Sequence, residues 1–201
     1  MKRFFLLLTG FLIIVSGCLK NPFDTREGPE PAGSRGTWET PATPEVVLVN
    51  LMFAYNEMNI QNYQLCFADE FRFSATEDSI EAEVQGNGHL FRFWDKSVEI
   101  SSAENLFASL DAESSNMDLI LSPAVDYPDS IGDSLAVLYR NYTLRIITPD
   151  SFSADTTVIE GLVSFSSSRT LFSWWSIYFW KEMPYPGTDI SWADFKAEYR
   201  N

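Results

Sequence analysis

The sequence has few of the residues on which most catalytic and metal sites depend. Its 201 residues include one histidine, His89, and two cysteines, Cys18 and Cys66. A histidine-based metal site or a Ser-His-Asp triad would rest on His89 alone. The motifs H-x-x-x-H, C-x-x-C and G-x-S-x-G and a phosphate-binding glycine loop are all absent. We therefore expect no metal, no cofactor and no catalytic residues of these kinds.

Basic residues are also scarce. The chain has 14 Lys and Arg against 28 Asp and Glu, which gives a formal net charge of −14. Nucleic-acid binding needs a basic surface that neutralises phosphates, so this balance excludes a nucleic-acid partner. The same charge gives the protein no electrostatic attraction to anionic lipid headgroups.

No apolar run is long enough to span a bilayer comfortably, which takes about 20 residues. The longest run, Phe4–Val15, follows Lys2 and Arg3 and precedes Val15-Ser16-Gly17-Cys18. This order of charge, short apolar segment and small residues is typical of a secretory signal peptide. One possibility is an ordinary secretory signal peptide in which Cys18 has no special role.

The last four residues of this segment resemble the lipobox of bacterial lipoproteins. The resemblance implies that residues 1–17 are removed, that the Cys18 thiol is lipidated and that the new amino terminus is acylated. Several acyl chains are enough for stable anchoring. It also implies a place in the cell envelope, and Leu19 after the cysteine favours the periplasmic face of the outer membrane.

Residues 18–43 are rich in proline, glycine and charge and show no periodicity, which predicts a flexible tether. Trp38 is a lone aromatic in this segment, and we expect it to dock onto the domain. Residues 44–201 form the predicted domain. With Cys18 lipidated, Cys66 has no disulfide partner, and its apolar neighbours predict a small buried side chain.

A hydrophobic content of 45% and an aromatic content of 15% predict a well-packed core. Thr43-Pro44-Glu45 has the features of a helix start, and apolar residues then recur at helical spacing. We predict a short helix over Gln61–Ala68, a strand around Phe71 and Phe73, and an acidic loop over Thr76–Gly88. The capping-box pattern of Ser101 and Glu104 predicts the start of another helix.

The remainder of the chain predicts four long strands, over Met117–Val125, Ser134–Thr148, Thr157–Ser167 and Leu171–Met183. In the second of them the apolar residues change parity, which predicts a β-bulge near Arg140 and Asn141. The last strand is apolar on both faces, so both faces should be covered. Its odd positions, Trp175, Ile177 and Phe179, are predicted to be structural.

This order of elements resembles the cone-shaped α+β fold of the NTF2-like proteins, in which N-terminal helices pack on a strongly bent, mostly antiparallel sheet. The motif FADEF at Phe67–Phe71 resembles the sequence with which SnoaL-like and ketosteroid-isomerase-like members enter their first strand, and Tyr55 resembles an aromatic of their first helix. The resemblance covers Pro44–Arg200. In ketosteroid isomerases the general base is an aspartate on the first strand. The resemblance implies that Ala75 occupies this position here, which argues against isomerase chemistry.

Two functions remain open at this point. The preferred one is a membrane-anchored envelope lipoprotein whose non-catalytic domain associates with itself or with another envelope protein. The alternative is a domain that binds, or acts as a SnoaL-like enzyme on, a small hydrophobic molecule in the cone. In that case the residues expected to line the pocket are Tyr55, Tyr139, Tyr178 and Trp180.

Overall fold

The computed structural model describes residues 36–110, 114–149, 154–171, 173–185 and 190–200. The predicted signal peptide, Cys18 and the tether up to residue 35 lie outside this range, and the predictions about them stay predictions. Within the described ranges, no helix is both long and apolar enough to cross a membrane.

Five α-helices, one 3-10 helix and six strands make up the described chain. In chain order they are α1 (Pro44–Asn56), α2 (Ile60–Leu65), β1 (Phe67–Ala75), α3 (Thr76–Val84), the 3-10 helix (Gly88–Phe91), α4 (Lys96–Ser109), β2 (Asn116–Pro123), β3 (Ser130–Ile131), β4 (Leu135–Pro149), β5 (Ala154–Arg169), β6 (Trp175–Pro184) and α5 (Trp192–Glu198). Helix α1 begins at the predicted proline, and its buried side chains include Val47, Leu51 and Tyr55.

The strands form one sheet in the order β1-β6-β5-β4-β2, with the short β3 paired to β4. Strand β1 runs parallel to β6, and the other pairs are antiparallel. The predicted α+β class, with helices packed on a curled, mostly antiparallel sheet, is confirmed. We call the sheet face that packs against the helices the inner face; it carries Leu138, Tyr142, Val163, Phe165 and Trp180. The opposite, outer face carries Val137, Tyr139, Leu162, Phe179 and Met183.

The segment before α1 is attached to the domain. The Glu39 amide donates to Asn50 Oδ1 at 2.8 Å, and Asn50 Nδ2 donates to the Glu39 carbonyl at 2.7 Å. The Trp175 amide donates to the Pro41 carbonyl at 2.9 Å. Trp38 packs against the core, as expected of a lone aromatic in this segment. The described end of the predicted tether, residues 36–43, is therefore held in place by these contacts.

Two helix predictions are wrong. The acidic segment after β1, predicted as a loop, forms helix α3, which buries Asp78 and Ala82. Helix α4 begins at Lys96, not at Ser101, because the Asp95 carboxylate caps it by accepting from the amides of Ser97 and Val98.

The predicted β-bulge in β4 is also wrong. The register between β4 and β5 is continuous from Leu135 to Pro149, and the buried side chains of β4 alternate without interruption. The bulge lies in β6 instead, where Ser166 pairs with Phe179 but Ser167 pairs with Ile177, so that Tyr178 is the extra residue. The parity of β6 therefore changes at Tyr178, and Trp180 faces the core.

Candidate functional site

The space between the inner face and the helices is filled by the C-terminal helix α5. Trp192 is fully buried, with its ring centroid 4.5 Å from that of Trp180, 5.0 Å from Tyr142 and 5.3 Å from Tyr55. Its indole Nε1 donates to the Tyr55 hydroxyl at 3.2 Å. Helix α5 begins with a capping box, in which the Asp194 amide donates to Ser191 Oγ at 2.9 Å.

A buried ion pair fixes the middle of α5. Lys196 Nζ lies 3.0 Å from Glu99 Oε2, and the two side chains are 2% and 0% exposed. The ammonium also lies 3.6 Å from the ring centroid of Phe73 and 3.8 Å from that of Trp180, so that aromatic faces supply part of its lost hydration. Burial nevertheless lowers the pKa of Lys196.

Glu99 is the common acceptor of this cluster. Besides Lys196, it accepts a hydrogen bond from Trp94 Nε1 at 2.7 Å and another from the Tyr63 hydroxyl. Burial, followed by the charge of Glu99, raises the pKa of Tyr63, so this phenol stays a donor. The carboxylate is thus surrounded by donors, which is what a buried charge requires.

A second carboxyl, Glu182 of β6, holds the start of α5. Its Oε1 accepts from the Tyr142 hydroxyl at 2.5 Å and from the Trp192 amide at 2.8 Å. The Tyr142 ring lies across its strand partner Gly161, where a Cβ atom would stand 2.6 Å from the phenolic oxygen. Burial raises the pKa of Glu182 to about 7.

Asp78 of α3 is the third carboxyl near α5. It is 7% exposed, and the side chain of Ser191, the residue that caps α5, acts on its carboxyl. Burial, together with the nearby charge of Asp194, raises the pKa of Asp78 to about 6. Among the described residues, Asp78 Oδ2 and Glu182 Oε2 are buried and have no hydrogen-bond partner.

No protein-family profile matches the chain, and no curated protein matches its sequence. Solved structures do resemble it. The Kfla4162 protein from Kribbella flavida has a TM-score of 0.54 at 10% identity, covering 78% of this chain and 95% of its own. A putative aromatic ring hydroxylase from Novosphingobium aromaticivorans has a TM-score of 0.51 at 12% identity, covering 70% of this chain and 85% of its own.

An NTF2-like superfamily protein from Salmonella enterica matches at a TM-score of 0.46 and 13% identity, covering 72% of this chain and 89% of its own. The α+β fold, with helices packed on a curled sheet, is shared with solved structures. At these identities the likeness concerns the fold alone, and function has to be argued from the side chains.

The fold separates the four residues that the sequence predicts to line a pocket. Tyr55 and Trp180 are fully buried and contact Trp192 instead of an open cavity. Tyr139 lies on the outer face, where its ring stacks on Tyr127 at 5.5 Å between centroids. Tyr178 is the half-buried bulge residue of β6.

Other expected features of the sequence have simple places in this fold. Ala75 is buried at the end of β1, opposite Glu182, and carries no general base. His89 is exposed in the 3-10 helix. Cys66 is buried as predicted, and burial raises the pKa of its thiol well above the ordinary value. In the part of the chain that the structure describes, no cluster of three or more His, Cys, Asp or Glu could hold a metal ion.

Sequence reasoning missed the buried polar residues Asp78, Glu99, Glu182 and Lys196. Glu182 gave a signal, since it is the one acid in a strand predicted to be covered on both faces. Lys196 lies among Trp192, Ala193 and Phe195 in a short helix, which is also an unusual place for a charge. Their partners, however, are distant in sequence, and Glu99 is 97 residues from Lys196.

The outer face of the sheet carries exposed apolar side chains. Leu135, Ile120 and Val158 are 58%, 50% and 50% exposed. The structure also has a cavity of about 610 Å³, whose lining includes Tyr127, Leu162, Lys181, Glu182, Met183 and Tyr185. Isolated exposed apolar residues are ordinary, whereas contiguous apolar patches are typical of interaction surfaces.

Proposed function

We propose that the protein is a lipid-anchored envelope lipoprotein whose NTF2-like domain is non-catalytic and binds a second copy of itself through the outer face of the sheet. One observation carries the proposal. The interior of the fold is filled by Trp192 and Lys196, whereas apolar side chains remain exposed on the outer face. The surface that is free to bind is therefore outside the cone.

The chemistry of the interior supports a non-catalytic role. Proton abstraction needs a positioned group within reach of a substrate. Glu99 is engaged by Lys196, Trp94 and Tyr63, and Glu182 by Tyr142 and the Trp192 amide. Both carboxyls are at most 2% exposed. Their interactions hold α5 in place, although Glu182 also contributes to the lining of a cavity of about 610 Å³.

The net charge of the chain determines how self-association should depend on salt. Two copies at a net charge of −14 each repel one another, so burial of apolar area has to drive pairing. Added salt screens the repulsion. We therefore expect association of the full-length protein in detergent to strengthen as the salt concentration rises from about 0.05 to 0.5 M.

Sedimentation of charge-bearing variants tests the surface. Ile120→Glu and Val158→Glu introduce a carboxylate on the outer face at side chains that are already half exposed, so the fold should tolerate them. Each should weaken self-association about tenfold or more, which corresponds to about 1.4 kcal/mol. Val84→Glu on α3, at an 84% exposed residue, is the matched control and should leave the dimer intact. A wild-type protein that stays monomeric at about 0.1 mM would contradict the proposal.

The anchor has its own test. Cys18→Ser removes the thiol to which the diacylglycerol is expected to attach, so the variant should take up no labelled fatty acid and should leave the membrane fraction or stay unprocessed. Cys66→Ser is the control, because Cys66 is buried in the folded domain and should not affect labelling. Labelling that persists in Cys18→Ser would show that the lipobox prediction is wrong.

The alternative function, binding of a small hydrophobic molecule, is favoured by the phenols and carboxyls that face the interior. It requires α5 to leave that interior, because Trp192 occupies the space. A thermal-shift screen against lipids and steroid-like compounds separates the two functions. A shift of the melting temperature for one compound class, abolished by Tyr55→Phe, would favour the ligand-binding function over self-association.

A further inference from the structure

Carboxyl groups from three elements surround the N-terminal end of α5. Glu182 of β6 accepts from the Trp192 amide, and the side chain of Ser191 acts on the buried carboxyl of Asp78 in α3. Asp194 of α5 closes the capping box by accepting from the Ser191 amide at 3.3 Å. Together with the Lys196–Glu99 pair, these groups hold α5 against the inner face.

Two of these carboxyls are buried with one oxygen unused. Glu182 is 2% and Asp78 is 7% exposed, and one oxygen of each has no partner among the described residues. An ionised carboxylate in this position loses its hydration without full replacement, whereas the neutral acid loses much less. The cluster is therefore more favourable with protons bound.

The surrounding charges do not compensate for ionisation. Glu77 and Asp194 add negative charge around Asp78, and Glu182 has only two hydrogen bonds, from the Tyr142 hydroxyl and the Trp192 amide, both to Oε1. Lys196 is the cation that acts on Glu182, but its ammonium is paired with Glu99 of α4. The elevated pKa values, about 7 for Glu182 and about 6 for Asp78, arise first from burial and agree with this balance.

We propose that Glu182 and Asp78 form a proton-operated latch that holds α5 in the interior of the fold in its protonated state and loosens it when both carboxyls ionise. Ionisation places two negative charges at the start of α5, where they repel each other and Asp78 also repels Asp194. Loosening of α5 withdraws Trp192 from the interior, which then becomes accessible beside Tyr55 and Trp180. This inference is independent of self-association through the outer face.

Amide hydrogen exchange on the full-length protein tests the latch. Protection factors, corrected for the intrinsic pH dependence of exchange, are measured between pH 5.5 and 8. We expect protection of Trp192–Glu198 to fall about tenfold or more over this range, as one pKa unit of proton linkage implies. Protection of Pro44–Asn56 in α1 should change much less, which distinguishes local release from global unfolding.

Two variants test whether Glu182 and Asp78 cause the pH-dependent loss of protection in α5. Glu182→Gln stays neutral at every pH and should flatten the profile of α5, and Asp78→Asn should reduce its slope from a different element. Asp69→Asn, at an exposed carboxylate paired with Lys96, is the control and should behave like the wild type. A flat wild-type profile overturns the proposal. So does a wild-type slope that persists in either folded latch variant.

Discussion

At the scale of the residue, the Lys196–Glu99 pair shows why a buried charge can be both necessary and unfavourable. Removing one partner leaves the other charged and almost fully buried, which costs about 3–5 kcal/mol. We expect Lys196→Met to lower the free energy of unfolding by that amount, measured by urea denaturation. The double variant Lys196→Met/Glu99→Gln should recover part of the loss, because no charge is left without a partner.

The exposed pair of Lys96 and Asp69 is the matched control for the variants of Lys196 and Glu99. Its two side chains are 28% and 100% exposed at 2.9 Å, so water screens the attraction. Asp69→Asn should leave the urea midpoint unchanged. Single and double variants at Lys196 and Glu99 with strictly additive losses would show that the two charges do not depend on each other.

Gly161 gives a second prediction at this scale. A Cβ atom at this position would lie 2.6–2.8 Å from atoms of the Tyr142 ring and hydroxyl, so the ring has to move. Gly161→Ala should cost about 1–3 kcal/mol of unfolding free energy, as overpacking in a core does. In a Tyr142→Val background, which removes the ring, the same change should cost little. An equal loss of unfolding free energy in both backgrounds would show that Gly161→Ala acts through the backbone and not through a clash with the Tyr142 ring.

At the scale of the element, the bulge in β6 determines which tryptophan contributes most to the stability of the fold. The sequence assigned the odd positions of this strand to the core, but the extra residue Tyr178 changes the parity and turns Trp180 inward. Trp180 contacts Phe73, Phe165 and Trp192, with centroid distances of 5.7, 4.9 and 4.5 Å. Trp175 is also buried, but it begins the strand, beside Pro41.

We therefore expect Trp180→Ala to cost about 3–5 kcal/mol in urea denaturation, as loss of a large buried aromatic does. Trp175→Ala should cost less, and Phe179→Ala, on the outer face, should cost least. Trp175 and Ile177 are buried as the sequence predicts, and only beyond the bulge does the inward position shift from Phe179 to Trp180. A larger loss for Trp175 than for Trp180 would mean that the bulge lies elsewhere.

The elements that the sequence predicted are those with local signals. Pro44 marks the start of α1, and alternating apolar residues mark β4 and β5. Helix α3 was missed because only Asp78 and Ala82 of its nine residues are buried, so its apolar periodicity is weak. The bulge and the Glu99–Lys196 pair depend on register and on contacts between distant parts of the chain, which local patterns do not contain.

At the scale of the whole molecule, the buried carboxyls set the pH dependence of stability. Burial raises the pKa of Glu182 from 4.5 to about 7 and that of Asp78 from 3.8 to about 6. The folded state thus binds these protons more tightly than the unfolded chain. Their contribution to stability is fully present below about pH 4 and is lost as the pH rises through 6 and 7.

Carboxyls with lowered pKa values act in the opposite direction but at lower pH. The Ser97 hydroxyl and the amides of Val98 and Ser97 lower the pKa of Asp95, the cap of α4, so its contribution is present at neutral pH and is lost in strong acid. The two kinds of group therefore act in different pH ranges. Between pH 4.5 and 8 the carboxyls with raised pKa values should dominate the pH dependence of stability.

We expect the free energy of unfolding of the full-length protein to fall between pH 4.5 and 8, whereas many proteins gain stability over this range. Glu182 alone should contribute about 3 kcal/mol to the decline, because one pKa unit corresponds to about 1.4 kcal/mol. Urea midpoints at closely spaced pH values measure it. Glu182→Gln should remove most of the slope, and Asp69→Asn should keep it. Stability that rises from pH 4.5 to 8 would mean that Glu182 and Asp78 are already ionised in the folded protein.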